Sequence, residues 1–278
     1  MISRIISGIF FFTGIQFAVL AGDVLCTAYP VWLLTRSITA NIPDVKLSLL
    51  HSPDGSCVHE YTPTLRDIKK LSRARLLIAN GMGLDKTITI CAERANRKLP
   101  IIYASHPQDT FNEHNFASPD TALRMAERIC QALCKYFPEH TQDFQRNLEH
   151  FSYRINQLKT EFCSENNTEK TVIIQSGLFC NLARFYGLNF VKMRNERADI
   201  LTTGKLKELS SVGKNGTVSA IFVEKDLADK AIEQLKKNTA LPVIKLNLLL
   251  TGPENPPEDY YFQQMWKNLA EIRKVLKK

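Results

Sequence analysis

The sequence lacks the short motifs that mark the common catalytic sites. It has no Gly-x-Ser-x-Gly turn, no glycine-rich phosphate loop and no His-Glu-x-x-His zinc-protease motif. The pair His59-Glu60 does not extend to a second histidine four residues on, and Gly81-Met82-Gly83 lacks the third glycine of a dinucleotide site. The sequence therefore predicts that the protein is not an enzyme.

Low-complexity tracts and repeats at solenoid periods are also absent. The 278 residues are 44% hydrophobic and 23% charged, which is enough for one large or two medium-sized domains with a buried core. The net charge is +8, but lysine and arginine are scattered, and no basic stripe is interleaved with aromatic residues. We therefore expect a globular protein with a basic, solvated surface and no nucleic acid partner.

The N-terminus has the outline of a signal peptide. Arg4 is the only charge before Asp23, an apolar run covers residues 5–20, and two small residues follow it. An uncleaved membrane anchor is the alternative, but polar residues and glycines interrupt the run and leave it short for a span. A lipoprotein signal needs a small residue directly before its cysteine, whereas Cys26 follows a leucine. Residues 1–21 are therefore predicted to direct export of a protein without a lipid anchor.

The number of cysteines is odd, so at least one has no disulfide partner within the chain. Cys130 and Cys134 lie four residues apart on a predicted helix. That spacing is not the spacing of a zinc finger, and it is poor geometry for a mutual disulfide. The pairing stays open. The seven cysteines are Cys26, Cys57, Cys91, Cys130, Cys134, Cys163 and Cys180.

Short β-rich runs alternate with amphipathic stretches along the first half of the chain. This alternation is typical of a parallel sheet with helices on both faces. Strands are predicted at Val24–Ala28, Val45–Leu50, Arg75–Ala79 and Pro100–Ala104. Helices are predicted at Val31–Thr39, at Leu65–Arg73, and in a segment that ends at about Asn96.

Two helices are predicted in the middle of the chain. Ser118-Pro119-Asp120 has the residue types of a helix start, and this helix ends at about Tyr136. In the second helix six apolar residues recur at spacings of four and three. They lie on one face of a predicted helix of about two dozen residues, which is roughly 35 Å long at 1.5 Å per residue. The six are Phe144, Leu148, Phe151, Ile155, Leu158 and Phe162.

The strand–helix alternation restarts at Thr171. The predicted fold class is therefore α/β, with two lobes of parallel sheet flanked by helices and joined by one long backbone helix. Strands are predicted at Thr171–Gln175, Phe190–Met193, Val218–Val223 and Val243–Leu246. Helices are predicted at Leu178–Tyr186, with Gly187 at its end, and at 203–211, 226–237 and Tyr260–Lys277.

Two histidines lie in predicted loops between a strand and a helix. His59 precedes the helix that begins at Leu65, and His114 lies four residues before Ser118. Loops that follow the strands of open α/β sheets are where ligands bind, and neutral imidazole is a good ligand for zinc, manganese or copper. The equivalent positions of the two histidines favour a shared metal site more than either histidine does alone, and solvent exposure of both stays the alternative.

Several motifs resemble those of the TroA-like metal-binding proteins of zinc and manganese ABC transporters. The run from His59 to Asp67 is similar to the family signature, in which a ligand histidine is followed by Tyr, Pro-Thr and a helix-opening Asp. The run from Ala79 to Leu84 is similar to the family's strand-end Asn-Gly-x-Gly-Leu. The resemblance spans nearly the whole chain after the signal, in the same order. Other matching segments are His114 with Ser118-Pro119, Asn147-Leu148, Ala183–Leu188 and Ala220–Glu224.

The resemblance implies a metal ion in a cleft between the lobes, with two ligands from each lobe. His59 and His114 match the two N-terminal ligands. Where the family has His or Glu, ten residues before the Tyr of its Tyr-Gly motif, this chain has Ser176. Where the family has Asp at the end of the last strand, this chain has Asn247. Ser176 and Asn247 are therefore weaker ligand candidates.

Neutral oxygens weaken the expected site, because strong sites for divalent ions use several good donors and usually negative charge. Other side chains near these positions offer replacements. They are the carboxylates of Glu60 and Glu224, the thiols of Cys57 and Cys180, and the amide of Gln175 in place of Ser176.

The implied function is the periplasmic solute-binding component of a zinc or manganese ABC transporter. Its partner would be the cognate permease in the inner membrane, and the protein would be a monomer. Two alternatives stay open: a degenerate paralogue that lost high-affinity metal binding and acts as a binding or interaction protein, and a secreted α/β enzyme. The expected division is a signal peptide at 1–21, an N-terminal lobe at 22–138, a linking helix at 139–165 and a C-terminal lobe at 166–278.

Overall fold

The computed structural model describes residues 22–51, 58–108, 112–163, 170–193, 207, 209–211 and 216–276, with Glu60, Phe162 and Cys163 described by their backbone only. These residues form two four-stranded sheets and the helices that cover them. No described helix combines the length and the hydropathy that crossing a membrane requires.

The N-terminal lobe is built on a parallel sheet with the strand order β2-β1-β3-β4. Every residue of the β3 strand is buried, as expected for a central strand covered on both faces. The strands are β1 (Gly22–Cys26), β2 (Val45–Leu49), β3 (Leu76–Ala79) and β4 (Ile101–Tyr103). The helices between them are α1 (Tyr29–Ile38), α2 (Leu65–Arg73) and α3 (Lys86–Ala95).

Two consecutive helices lead out of this lobe, α4 (Pro119–Tyr136) and α5 (Thr141–Cys163). The predicted apolar face of α5 is confirmed where its side chains are described. Phe144, Phe151, Ile155 and Leu158 are all buried, and Leu148 is partly buried against them. Asn147 on the same helix donates from Nδ2 to the carbonyl oxygens of Ile38 and Ala40, at 2.9 and 3.0 Å, and so caps the end of α1.

The C-terminal lobe repeats the arrangement of the first sheet, with parallel strands in the order β6-β5-β7-β8. In both sheets the second strand in the chain is added on one side of the first, and the later strands are added on the other side. The strand order therefore switches between the two central strands, and open α/β sheets bind ligands at such a switch point. The strands are β5 (Thr171–Ile174), β6 (Asn189–Lys192), β7 (Val218–Glu224) and β8 (Val243–Leu246). The helices are α6 (Cys180–Phe185), α7 (Asp229–Thr239) and α8 (Tyr260–Leu276).

One apolar core runs from the first sheet through α5 into the second sheet. The segment around α8 reinforces this connection, because Tyr261 donates its hydroxyl to the Phe116 carbonyl at 3.2 Å. Tyr29 in α1 donates to the Pro253 carbonyl at 3.0 Å. The two lobes are therefore joined by packing and hydrogen bonds as well as by the α5 backbone.

The predicted fold class is confirmed, and the described helices and strands end within three residues of their predicted limits. The helix predicted at 203–211 lies largely outside the described residues, although residues 209–211 are helical. The predicted signal peptide also lies outside them.

Ser118 takes the predicted N-cap position, but its side chain makes no capping hydrogen bond. Cys26, Cys91, Cys130 and Cys134 are free thiols, and the Sγ atoms of Cys130 and Cys134 lie 4.0 Å apart.

Candidate metal site

The two predicted histidines come together, although they follow opposite edges of the N-terminal sheet. His59 lies in a 3-10 turn after edge strand β2, and His114 lies in the segment after edge strand β4. In the chain, α2, β3, α3 and β4 lie between them. Both segments reach across the carboxyl ends of the strands. As a result the ring centroids of His59 and His114 are 5.5 Å apart.

Glu113 lies between the two imidazoles. Its Oε1 is 3.4 Å from His59 Nε2 and 3.7 Å from His114 Nδ1. One ligand atom of each of the three side chains lies within 4.8 Å of the other two. Two imidazole nitrogens and a carboxylate oxygen are good donors for a first-row divalent ion, so the donor set fits a metal.

The protonation states suit metal binding. A hydrogen bond from the facing His59 imidazole lowers the pKa of the Glu113 carboxyl to about 2, and partial burial acts in the opposite direction. Burial lowers the pKa of His114 to about 4, against the Glu113 charge, which favours the protonated form. Near neutral pH Glu113 is therefore a carboxylate and His114 is a neutral imidazole, the forms that bind metal ions.

A hydrogen-bonded cluster fixes the segment that carries His59. Asp67 Oδ2 accepts from the Tyr61 hydroxyl at 2.6 Å, and from the Thr64 backbone N–H and hydroxyl at 2.8 and 2.6 Å. Thr64 and Asp67 form the capping box of α2. The ring of Tyr61 also packs edge-on against His51 at 4.3 Å. The matching sequence run thus anchors the turn after His59 to a helix start.

The segment that carries Glu113 and His114 is held at both ends. Asn80, the first residue after β3, donates from Nδ2 to the Glu113 carbonyl oxygen at 3.0 Å. Asn112 Oδ1 accepts from the His114 backbone N–H at 3.0 Å. Ser105 donates its hydroxyl to Asn115 Oδ1 at 2.9 Å. These bonds position the candidate ligand side chains without an ion.

The C-terminal lobe meets this segment at Ser176. The neighbouring carbonyl of Gly177 accepts from Asn112 Nδ2 at 2.7 Å, and Asn181 Nδ2 donates to Asn112 Oδ1 at 2.8 Å. Ser176 is 3% exposed, and its hydroxyl has no hydrogen-bond partner among the described residues. The strand-end segments of the two sheets therefore face each other, with Ser176 beside the contact.

Asn247 follows β8, and its polar groups are already engaged. Its Nδ2 donates to Gln264 Oε1 at 2.9 Å, and its Oδ1 accepts from the Leu249 N–H at 2.9 Å. Its backbone N–H and carbonyl bond to Asn268 of α8. Asn247 thus fastens the strand end to α8.

The remaining candidates differ in what surrounds them. Glu224 ends β7 and lines a small pocket with Asn247, and Gln175 Oε1 accepts from the Glu224 backbone N–H at 2.8 Å. Cys180 is a buried thiol at the start of α6. The side chain of Glu60 and all of Cys57 lie outside the described residues. None of these predicted replacements belongs to the cluster of Glu113 and the two histidines among the residues described.

The sequence reasoning missed Glu113. The available signal was its position directly before His114, where a carboxylate is adjacent to a candidate ligand.

Two parallel sheets with facing carboxyl ends, joined by one long helix, define a two-lobe solute-binding protein. This chain belongs to the family of the zinc-uptake complex component A, periplasmic (ZnuA), which matches residues 24–275. The family is one of solute-binding proteins for transport, which is not an enzyme class.

Two curated relatives carry names that describe metal binding. The chain is 24% identical to zinc-binding protein AdcA of Streptococcus pyogenes over 287 residues, 90% of this chain and 55% of that protein. It is 25% identical to the metal ABC transporter substrate-binding lipoprotein ScbA of Streptococcus cristatus, covering 88% of this chain and 87% of that one. The chain thus spans about half the length of AdcA.

A solved structure has the same fold. The Zn(II)-bound ZnuA-like domain of Streptococcus pneumoniae AdcA superimposes with a TM-score of 0.77 at 21% identity, covering 92% of this chain and 99% of that one.

Proposed function

We propose that this chain is the solute-binding component of a metal ABC transporter and that zinc or manganese is its cargo. The observation that carries the proposal is the convergence of His59 and His114 from opposite edges of one sheet, with a carboxylate between them. Family membership and the names of the relatives support it.

The chemistry of the site fits capture of an ion rather than catalysis. The cargo would be held by His59 and His114, both at the carboxyl ends of parallel strands, where binding proteins of this architecture take their ligands. The contacts to Asn80 and Asn112 keep the ligand segment in place, so little ordering accompanies binding. The proposal therefore includes the absence of enzymatic activity.

The other ligand candidates stay predictions. Ser176, at the third position that the resemblance implies, has a buried hydroxyl without a hydrogen-bond partner among the described residues, whereas the amide of Asn247 already bonds to Gln264 and Leu249. Glu60 and Glu224 are the carboxylates that would have to turn toward the ion.

The partner protein would be a permease in the inner membrane, which receives the ion from this protein in the periplasm. Residues 1–21 would direct export, and the protein would act as a monomer. The ABC transporter name of the streptococcal lipoprotein relative supports the partner class.

Zinc titration of the chelator-stripped protein tests the proposal, with manganese as the second ion. Wild type is compared with His59→Ala and His114→Ala, and with His150→Ala as a matched control on the exposed face of α5. Wild type and the control should bind one zinc ion with sub-micromolar affinity. Each site variant should lose more than about 100-fold, because it removes a strong donor. No binding by wild type would instead support the degenerate paralogue.

A further inference from the structure

We propose that Glu113 is the third, anionic ligand of the ion, so that the N-terminal lobe supplies all three strong donors. This inference rests on the proposed metal-binding function. It differs from a site with two ligands from each lobe, which the resemblance implies, because it assigns the negative charge of the site to the residue directly before His114.

The spacing of the three side chains carries the inference. Two ligands at 2.0–2.1 Å from a tetrahedral ion lie about 3.3–3.5 Å from each other. The separations of Glu113 Oε1 from His59 Nε2 and His114 Nδ1 are 3.4 and 3.7 Å. Both separations are close to the distance between two ligands of one ion, and all three ligand atoms lie within 4.8 Å of one another.

The charge balance of the cleft points to the same residue. His59 and His114 are neutral donors when they bind a metal, and Ser176 and Asn247 add neutral oxygens only. Glu113 is the one carboxylate that lies in the three-residue cluster among the described residues. Its side chain is 22% exposed, so its charge acts in a partly desolvated place where it attracts a cation more strongly than at the surface.

Hydrogen bonds with two asparagines fix the backbone on both sides of the Glu113 side chain. Asn80 donates to its carbonyl oxygen, and Asn112 fixes the next residue through the His114 N–H. Both asparagines are buried, and Asn112 also bonds to Gly177 across the cleft. A carboxylate presented from such a braced segment needs little reorganisation to bind an ion.

The C-terminal lobe then has a smaller share in binding. The Asn247 amide holds the strand end against α8, so ligation by its oxygen competes with the Leu249 N–H. Ser176, whose hydroxyl has no hydrogen-bond partner in the described part of the chain, is the candidate for the fourth position. Two imidazoles and one carboxylate favour zinc over manganese in the general order of divalent affinities. We therefore expect zinc to bind more tightly.

The test compares Glu113→Gln with wild type in zinc titrations of the full chain. Glu93→Gln is the matched control, an exposed carboxylate on α3, and Ser176→Ala removes the neutral candidate. Loss of an outer-shell partner costs 10–100-fold in affinity. Glu113→Gln should lose more than about 100-fold, Ser176→Ala less than about tenfold, and Glu93→Gln should bind as wild type. Glu113→Asp, which keeps the charge on a shorter side chain, should fall between wild type and Glu113→Gln.

Infrared difference spectra separate ligation from a supporting role. Zinc binding to wild type should shift the carboxylate stretching bands, and the shift should persist in Glu93→Gln and vanish in Glu113→Gln. If wild type binds zinc but Glu113→Gln binds within tenfold of it, or keeps the same band shift, this inference is wrong while the proposed function stands. Equal affinities of Glu113→Asp and Glu113→Gln would also overturn it. If wild type binds no zinc, both fail.

Discussion

At the scale of single residues, His114 and Glu113 show how burial and charge prepare a site. His114 is 6% exposed, and burial opposes its protonation. Glu113 carries a charge that the two imidazoles face. A neutral ring beside an ionised carboxylate is the combination that a divalent ion needs, and it exists before the ion binds.

The buried imidazole predicts a pH dependence of the metal-free protein. The folded pKa of His114, about 4, lies below the usual 6.5 of an unfolded chain. The unfolded state therefore binds the extra proton first, and stability falls as pH drops from about 6.5 toward 4. The contribution of this one group is roughly 3 kcal/mol over the window.

Proton NMR of the imidazole and denaturant unfolding at several pH values check this prediction. The His114 resonance should titrate near pH 4, and His114→Asn should flatten the pH dependence between 4 and 6.5. A titration near 6.5 in the folded protein would contradict the account.

Residue types and spacing were sufficient to select His59 and His114, which the structure brings together, as ligand candidates, because both stand in strand-end loops and in matching motifs. They were not sufficient for Glu113. The direction of a side chain between two loop residues depends on the backbone of residues 112–115. Asn80 fixes that backbone from a distant part of the chain, and Asn112 accepts from the His114 N–H within the segment itself.

At the scale of elements, the start of α2 links stability to the site. Thr64→Ala removes the hydroxyl that accepts from the Asp67 N–H, and so breaks the capping box behind His59. The free energy of unfolding should fall by about 0.5–2 kcal/mol. Ser72→Ala, in the last turn of the same helix and exposed, is the control and should change it by less than about 0.5 kcal/mol. Urea unfolding measures both, and equal losses would show that the cap has no special role.

The long helix α5 makes a sharper prediction. Phe151 is 1% exposed and packs against Tyr261 and Phe262 of α8 at centroid distances of 5.7 and 4.9 Å. Phe151→Ala should therefore destabilise the protein by about 3–5 kcal/mol. Tyr153, two residues away on the same helix, is 61% exposed, and Tyr153→Ala should cost less than about 1 kcal/mol. Thermal and urea unfolding compare the two, and a similar loss in both variants would argue against α5 as the central packing element.

This helix was the most predictable element, because its apolar spacing specifies one buried face whatever packs against it. Its partners were not predictable in the same way. Nothing in the spacing identifies α8 as the helix that covers Phe151, since that choice depends on how the last strand of the second sheet is placed.

At the scale of the whole molecule, Asn112 connects the lobes through Gly177 and Asn181. Asn112→Ala should remove the buried hydrogen bonds to Gly177, Asn181 and His114 and cost about 2–4 kcal/mol, since an unsatisfied buried group costs about 1–3 kcal/mol. Amide hydrogen exchange should also rise at His114, whose N–H loses its acceptor. Asn238→Ala, on the exposed face of α7, is the matched control. Unchanged stability and exchange in Asn112→Ala would show that the lobes do not depend on this contact.

The two-lobe α/β class followed from the strand–helix alternation, but the contact between the lobes did not. Alternation fixes how strands and helices cover each other within a lobe. The meeting of Asn112 with Gly177 depends on the angle that α4 and α5 set between the two sheets. The C-terminal ligand positions stay predictions for the same reason.

Whether the three N-terminal side chains bind one ion can be seen in a crystal structure of the zinc-loaded protein, with an anomalous difference map at the zinc edge. We expect one strong peak in the cleft, about 2.0–2.2 Å from a nitrogen of His59, a nitrogen of His114 and a carboxylate oxygen of Glu113. A peak bound elsewhere, or no peak in crystals grown with excess zinc, would contradict it.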